Sequence, residues 1–230
     1  MTFRRNHLAC LVLIASGLSL SARAADSFNI NVTGVISPAA CEANITGGET
    51  IDYGTIPAST LKADAVTLLP ARQTGFTITC DAPAKLGFRT VDNRAASKMA
   101  PGPLIAMESG ISWDRPALNG LGVDGRGNNI GGWSAEIINL TSDTVSSPNF
   151  IYSRDNGLTW TKNNSDIVFI PLSTVNRLNS ISAADTSTPA AFSTLTGTLA
   201  VQAVINPAST LDLSQPVTLD GSVTVEMVYL

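Results

Sequence analysis

The sequence predicts an all-β protein built as a sandwich or a barrel. Charged residues make up only 14% of the chain, and Thr, Ser, Val, Ile and Asn are abundant. Helical periodicity is scarce, whereas short β-rich runs separated by Gly, Pro, Asn and Asp recur along the whole chain. Together these observations favour many short strands joined by turns.

Residues 1–24 have the features of an export signal. Two arginines precede an apolar run at residues 8–20, and Ala22-Arg23-Ala24 supplies small residues at the positions that a signal peptidase recognises. The run is shorter than a transmembrane helix requires, and no later segment contains about 18 uninterrupted apolar residues. We therefore expect an exported, soluble mature protein that starts at Ala25 and has no membrane insertion.

Loss of the signal changes the chemistry available to the protein. Removing Arg4, Arg5 and Arg23 from the 14 basic residues leaves 11 against 18 acidic residues, a net charge of −7, which argues against nucleic acid as a partner. His7, the only histidine, is also lost, so no Ser-His-Asp or Cys-His arrangement and no imidazole metal ligand can form. Nothing in the linear sequence pairs two carboxylates as a glycosidase requires. We expect no enzymatic activity and no cofactor.

Two cysteines, Cys41 and Cys80, remain in the mature chain. In an oxidising compartment, an isolated pair is most simply a disulfide, here closing a loop of about 40 residues. Two free buried thiols are the alternative.

The first segment of the mature chain alternates strictly between apolar and polar residues. This period is typical of a strand with one apolar face. A free N-terminus is usually poorly ordered unless it is tied into a sheet, so the strand joins either its own sheet or that of another molecule. The residues on its apolar face are Phe28, Ile30, Val32, Gly34 and Ile36.

The same signals predict ten strands in all, separated by turn-forming residues. They are Phe28–Ile36, Thr50–Ile56, Gln73–Cys80, Lys85–Val91, Trp133–Leu140, Phe150–Ser153, Leu158–Thr161, Ile167–Leu172, Gly197–Ile205 and Ser222–Leu230.

The order of several segments resembles the pilin subunits of chaperone–usher fimbriae. After the alternating N-terminal strand come Cys41, the run Ile51-Asp52-Tyr53-Gly54-Thr55-Ile56 and the strand Phe76-Thr77-Ile78-Thr79-Cys80. The chain ends on Val223-Thr224-Val225-Glu226-Met227-Val228-Tyr229-Leu230, with tyrosine next to last. The whole chain also resembles the GltF-like bacterial proteins of unknown function. Residues 94–161 do not align with pilins and indicate a central insertion.

The resemblance implies an immunoglobulin-like pilin sandwich that lacks its last strand. Residues 25–37 would then be a donor-strand extension and residues 38–230 the sandwich domain. The apolar face of the extension would fill pockets in a neighbouring subunit, with Gly34 at a narrow point of its groove. The groove would be lined by Val223, Val225, Met227 and Tyr229, and a chaperone would hold the carboxylate of Leu230.

The resemblance also implies a function and partners. The protein would be a structural subunit of a fimbria or related surface assembly, exported to the periplasm and then to the cell surface. Its partners would be a periplasmic chaperone, an outer-membrane usher and other pilin subunits.

Two other functions stay open at this point. One is a carbohydrate- or surface-binding adhesin module, for which Trp113, Trp133 and Trp160 could supply aromatic faces. Tip adhesins place a binding domain before the pilin domain and lack a donor extension, which argues against that role. The other is a stand-alone periplasmic β-sandwich whose N-terminal strand folds back into its own sheet.

Two further motifs are more simply structural. Residues 153–160 fit the Ser-x-Asp-x-Gly-x-Thr-Trp pattern of an Asp-box, which resembles sialidase repeats but occurs once here. It predicts a hairpin in which Asp155 binds turn amides and Trp160 packs beneath. The glycine-rich run 120–132 departs from a dinucleotide fingerprint and has too few acids for a calcium loop, so we expect a flexible surface loop.

Overall fold

A computed structural model describes residues 31–34, 39–163 and 177–230. The chain divides into two compact units, Met1–Ser37 and Pro38–Leu230. Among the described residues, the helical segments are four single 3₁₀ turns, at Ala58–Thr60, Ala95–Ser97, Arg115–Ala117 and Ala208–Thr210. The other regular elements of the described residues are β-strands. These strands are β1 (Cys41–Ile45), β2 (Thr67–Leu68), β3 (Arg72–Asp92), β4 (Ile105–Ala106), β5 (Ser112–Trp113), β6 (Asn119–Gly120), β7 (Gly131–Ser142), β8 (Asn149–Ser153), β9 (Thr161–Lys162), β10 (Leu178–Ser182), β11 (Ala191–Ile205) and β12 (Val223–Tyr229).

The strands form two antiparallel layers that share β3. The first layer runs β6-β7-β11-β3-β1 and uses the N-terminal half of β3, with β2 beside the end of β11. The second layer runs β12-β3-β10-β8-β9 and uses the C-terminal half of β3. The all-β prediction is therefore confirmed, with a sandwich as its form.

An irregularity in the middle of β3 moves it from one layer to the other. Thr79 pairs with Thr194 and Ala84 pairs with Phe192, so the pairing shifts register between these points. Pro83 lies within this shift, where its missing N–H breaks no regular ladder. The sequence run from Gln73 to Val91 is consequently a single bent strand, where the sequence predicted two.

The main core lies between the two layers. Ile78 and Leu195 face inward from the first layer, and Leu86, Phe88 and Ile181 face inward from the second; all are at most 1% exposed. Burial of large apolar side chains from both layers is the dominant stabilising contribution to such a sandwich.

The longest part of residues 94–161 that lies outside both layers is residues 95–118. This segment contains the β4–β5 hairpin, and its Met99, Ile105, Met107 and Leu118 form a buried cluster with Val204 of β11. The rest of residues 94–161 includes β7 and β8, which are strands of the two layers. The extra segment thus covers one face of the first layer.

Several strand predictions are confirmed with small changes of boundary. Trp133–Leu140, Phe150–Ser153 and Ser222–Leu230 correspond to β7, β8 and β12, and Gly197–Ile205 is the C-terminal part of β11. Leu158–Thr161 is wrong apart from its last residue, because the preceding residues form a turn. Ile167–Leu172 and most of Phe28–Ile36 lie outside the described residues; residues 31–34 carry no assigned secondary structure.

The prediction of a strand at Thr50–Ile56 is wrong, since these residues have no regular structure. The reason lies in Tyr53, whose hydroxyl donates to Val201 O (3.0 Å) and accepts from Ala203 N–H (3.1 Å). Here one side chain, rather than a backbone ladder, satisfies the edge of β11 in the gap between β2 and β3. Burial raises the pKa of the Tyr53 hydroxyl.

Candidate functional site: the β1–β12 groove

Two strands next to each other in space have one free edge each. Within residues 39–163 and 177–230, β1 and β12 each pair only with β3. The two strands meet at one end, where the Cys41 N–H donates to the Tyr229 hydroxyl at 3.0 Å. We call the space bounded by Cys41–Ile45 and Val223–Tyr229 the β1–β12 groove.

The predicted groove-lining residues share the core-facing side of β12. Tyr229 pairs with Leu86 and Met227 with Phe88, and directly paired residues of antiparallel strands point to the same face. Val223 and Val225 follow in the same phase. The structure thus places these four β12 side chains, in a row, on the face that carries the core.

On this face, the side chains of β3 are buried whereas several of those of β12 are about half exposed. Leu86 and Phe88 of β3 are 0% and 1% exposed, whereas Tyr229 and Val225 of β12 are 49% and 50% exposed. Met227 is half-buried and packs against the core. The apolar core face therefore continues onto β12 without being fully covered.

Side chains of β1 are likewise more exposed than the β3 side chains opposite them. Cys41, Ala43 and Ile45 face the core, opposite Cys80, Ile78 and Phe76 of β3. Ala43 is exposed although its partner Ile78 is 1% exposed. Both sides of the groove thus present core-facing residues that no strand covers within the part of the chain that the structure describes.

The core-facing side of β1 and β12 carries no charged residue. On β1 and β12 the charged residues are Glu42 and Glu226, which belong to the opposite phase and point away from the core. A groove of this kind can accept an extended apolar segment, because the free backbone groups of an edge strand pair with it while its alternate side chains fill the cleft.

The disulfide that the sequence predicted is present and supports one side of the groove. Cys41 and Cys80 are directly opposite each other on β1 and β3, with their Cα atoms 4.0 Å apart. Ala40 N–H adds a hydrogen bond to the Asp81 carboxylate at 2.8 Å. The start of β1 is therefore fixed to β3 both covalently and by hydrogen bonding.

The free edge of β7 differs from the groove edges. Asn139 adopts a left-handed φ of 55°, and the β7–β11 register shifts between Thr196 and Thr198. The irregularity brings the Gly197 Cα so close to Ile137 that an added Cβ would lie 2.8 Å from Cγ2 of Ile137. Bulges of this type twist an edge away from flat pairing and discourage strand addition. The pairing of β12 with β3 runs through seven consecutive residue pairs without such a shift.

The two chain termini carry the remaining predicted site residues. Leu230 is 45% exposed, and its N–H donates to Lys85 O at 3.0 Å. In the N-terminal unit, Val32 is 93% exposed and Gly34 is exposed. Phe28, Ile30 and Ile36 lie outside the described residues.

The Asp-box is a hairpin, as predicted. Its turn places Asn156 and Gly157 at φ of 56° and 91°, and the Asp155 carboxylate accepts from Ser153 Oγ at 2.6 Å and from Thr159 N–H at 2.9 Å. These hydrogen bonds lower the pKa of Asp155 to about 2. The Asp155 carboxylate thus stabilises the turn through these hydrogen bonds.

The three tryptophans lie in separate structural positions. Trp133 Nε1 donates to Gly120 O at 3.0 Å, and Trp160 Nε1 donates to Gly157 O at 3.0 Å. Trp113 packs beside the cluster under residues 95–118. The structure does not bring these rings together as a sugar-binding surface.

The glycine-rich run corrects the expectation of a surface loop. Gly120 belongs to β6 and Gly131 to β7, and both are buried; only the central turn is exposed. Asp124 accepts hydrogen bonds from Asn128 N–H (2.9 Å) and from the N–H of Asp212 (2.7 Å). These backbone hydrogen bonds hold the pKa of Asp124 well below its usual range and join two loops.

Sequence analysis missed a buried ionic cluster between β3 and the extra segment. The Asp92 side chain is fully buried and accepts from the N–H groups of Arg94 (2.9 Å) and Gly120 (3.0 Å). Lys98 Nζ lies 3.7 Å from Asp92 Oδ2 and donates to Leu118 O at 2.9 Å. Burial lowers the pKa of Lys98. No local sequence signal marks this cluster, because its partners are far apart in the chain.

Two other features bear on function. In the part of the chain that the structure describes, no helix has the length and apolar character to cross a membrane. Nor do His, Cys, Asp and Glu residues within it cluster in groups of three or more suited to a metal ion.

The described residues define a two-layer β protein with one internal disulfide and a cleft between two strands that pair only with β3. Comparison with known proteins places it near two relatives from Escherichia coli (strain K12). Protein GltF is 28% identical in an alignment that covers all of both chains, which makes it a distant homologue. The uncharacterized protein YhcF is 27% identical over 51% of this chain and 48% of its own length. Residues 30–134 match a family described as a protein of unknown function (DUF1120).

Proposed function

We propose that this protein is an exported structural subunit of a fimbria or related surface assembly, and that its subunits join by donation of a strand. The observation that carries the proposal is the β1–β12 groove, where core-facing residues of two adjacent free edges are part-exposed and uncharged. In this role the protein acts by assembly and not by catalysis.

The occupant of the groove is the N-terminal segment of a second copy. Its apolar residues Phe28, Ile30, Val32, Gly34 and Ile36 recur at every second position. They would therefore all point into the groove when the segment pairs with β12. The free N–H and C=O groups of the edge would bind the backbone of the donor, and the alternate side chains would supply specificity.

Covering the groove would also stabilise the subunit. Val225 and Tyr229 are about half exposed, and each apolar side chain moved fully out of water contributes roughly 1.5–3 kcal/mol, so half-exposed side chains gain part of that. A free apolar edge is an aggregation hazard. A periplasmic chaperone that occupies the groove before assembly, and an outer-membrane usher that directs the exchange, complete the proposal.

Deletion of the donor segment tests the proposal. The mature chain, residues 25–230, and a variant lacking residues 26–36 are each expressed with the cognate periplasmic chaperone, and polymer formation is followed by size-exclusion chromatography. We expect polymers from the full mature chain and only chaperone-bound or monomeric protein from the variant. Equal polymerisation of the two proteins would refute strand donation.

A matched pair of substitutions tests the acceptor. Val225 and Val91 have similar exposure, 50% and 43%, but Val225 pairs with Thr90 and Val91 with Thr224, so they lie on opposite faces. Val225→Glu places a charge in the groove and should block polymerisation, whereas Val91→Glu should leave it unchanged. A monomeric wild-type chain, unaffected by either change, would support the stand-alone protein instead.

A further inference from the structure

An open cavity of about 460 Å³ lies away from the groove, where the turn at residues 127–129 meets the loop after β11. Its polar lining comes from Arg115, Asn128, Asn129, Asn206 and Thr210. The volume is in the range of small-molecule sites. None of these residues belongs to β1 or β12.

The three asparagine side chains have their amide nitrogens bound to protein acceptors. Asn129 Nδ2 donates to Lys98 O (2.7 Å), Asn206 Nδ2 to Asn129 O (2.8 Å), and Asn128 Nδ2 to the Asp124 carboxylate (2.8 Å). Carbonyl and carboxylate oxygens only accept hydrogen bonds, so the nitrogen of each amide must face its partner. One N–H of each amide is used in this way, so each carboxamide keeps its oxygen as an acceptor and its second N–H as a donor.

The other polar groups have equally definite roles. Thr210 Oγ1 donates to Pro207 O at 2.7 Å, which leaves its lone pairs as acceptors. Arg115 Nε donates to Pro103 O at 3.1 Å, and this bond orients the guanidinium. The terminal N–H groups of Arg115 stay as donors for a ligand. The lining residues include no carboxylate.

We propose that this cavity binds an acidic saccharide, with sugar hydroxyls donating to the carboxamide oxygens and the sugar carboxylate accepting from Arg115. A bare anion could accept from Arg115 but would leave the carboxamide oxygens without donors. A metal cation would instead be repelled by the guanidinium. A polyhydroxy carboxylate satisfies both kinds of group at once.

Protein-detected NMR titration of the purified protein with matched sugars tests this site. The probes are galacturonate, glucuronate and N-acetylneuraminate, with galactose, glucose, acetate and inorganic phosphate for comparison. At least one acidic sugar should shift the amide signals of residues 126–129 and 206–210 saturably. Its affinity should exceed those of its neutral counterpart and of acetate by about tenfold each.

Two substitutions separate this site from nonspecific attraction to charge. Arg115→Gln should abolish the advantage of the acidic sugar over the neutral one, and Arg72→Gln, which removes an exposed arginine elsewhere, should not. The amide spectrum of each variant reports whether it has kept its fold. Thr210→Val removes the hydroxyl acceptor together with its hydrogen bond to Pro207 O, and it should weaken binding of the acidic and the neutral sugar alike.

Three results would overturn the proposal: no acidic sugar shifts these amides, phosphate or acetate binds as well as the sugar, or Arg115→Gln binds like the wild type. Because groove residues are not involved, sugar binding and polymerisation can succeed or fail independently.

Discussion

Removal of the Cys41–Cys80 disulfide should destabilise the sandwich by about 4 kcal/mol. The bond joins residues separated by 39 positions. In the chain-entropy model, opening a loop of this length returns about 13 cal/mol/K to the unfolded chain, or roughly 4 kcal/mol at 25 °C. Cys80 is also buried in the main core, so replacing its sulfur with a hydroxyl adds to the loss.

The assay is urea unfolding of the Cys41→Ser/Cys80→Ser double variant against the wild type, followed by circular dichroism. Wild-type protein unfolded with a thiol reductant present is the control and should lose a similar free energy of unfolding. A loss below about 1 kcal/mol in both proteins would refute the idea that this crosslink anchors β1. Because β1 borders the groove, the double variant should also assemble poorly.

Three further predictions concern single side chains. Tyr53→Phe removes the hydroxyl that bonds both Val201 O and Ala203 N–H and should cost about 1–3 kcal/mol of unfolding free energy, measured in urea. Asp92→Ala leaves the largely buried Lys98 without its counter-ion and should cost roughly 3 kcal/mol or more in the same assay. Hydrogen bonds lower the pKa of Asp155 to about 2, so its stabilising contribution is present above the ordinary pKa of an aspartate and is lost as pH falls from there to about 2. Asp155→Asn should therefore flatten the decline of the urea midpoint on acidification.

Each of these predictions has its own control. For Tyr53, the Tyr152→Phe variant removes a hydroxyl from another part-buried tyrosine, and an equal loss in both would contradict the bridging role. For Asp92, the double variant Asp92→Ala/Lys98→Met should recover part of the stability, and no recovery would mean that the ion pair is not the cause. For Asp155, an acid profile unchanged in Asp155→Asn would show that other carboxylates dominate.

The sequence predicts those parts of the fold that depend on local patterning. Residues 76–80 of β3 and residues 223–227 of β12 alternate between apolar and polar residues, and period two alone determines which β12 side chains share a face. The Asp-box hairpin is predictable for a similar reason, because Ser153, Asp155 and Thr159 bond within one turn.

Other parts depend on partners that are distant in sequence. Strand β10 is predicted by no apolar pattern, since Asn179, Ser180 and Ser182 are polar yet buried; Ser180 Oγ, for example, donates to Leu86 O at 2.7 Å. The groove requires the same kind of information. Its residues follow from sequence, but their partial exposure depends on which strands pair on either side of β3.

Hydrogen exchange at β12 tests the central claim most directly. A peptide of residues 26–36 is added to the protein that lacks this segment, and exchange of the backbone amides of Val223–Tyr229 is followed by mass spectrometry. Strand donation predicts that the peptide slows exchange along β12 in the protein that lacks residues 26–36. The same slowing is expected when that protein also carries Val91→Glu, and none when it carries Val225→Glu. Unchanged exchange along β12 at saturating peptide would contradict the account.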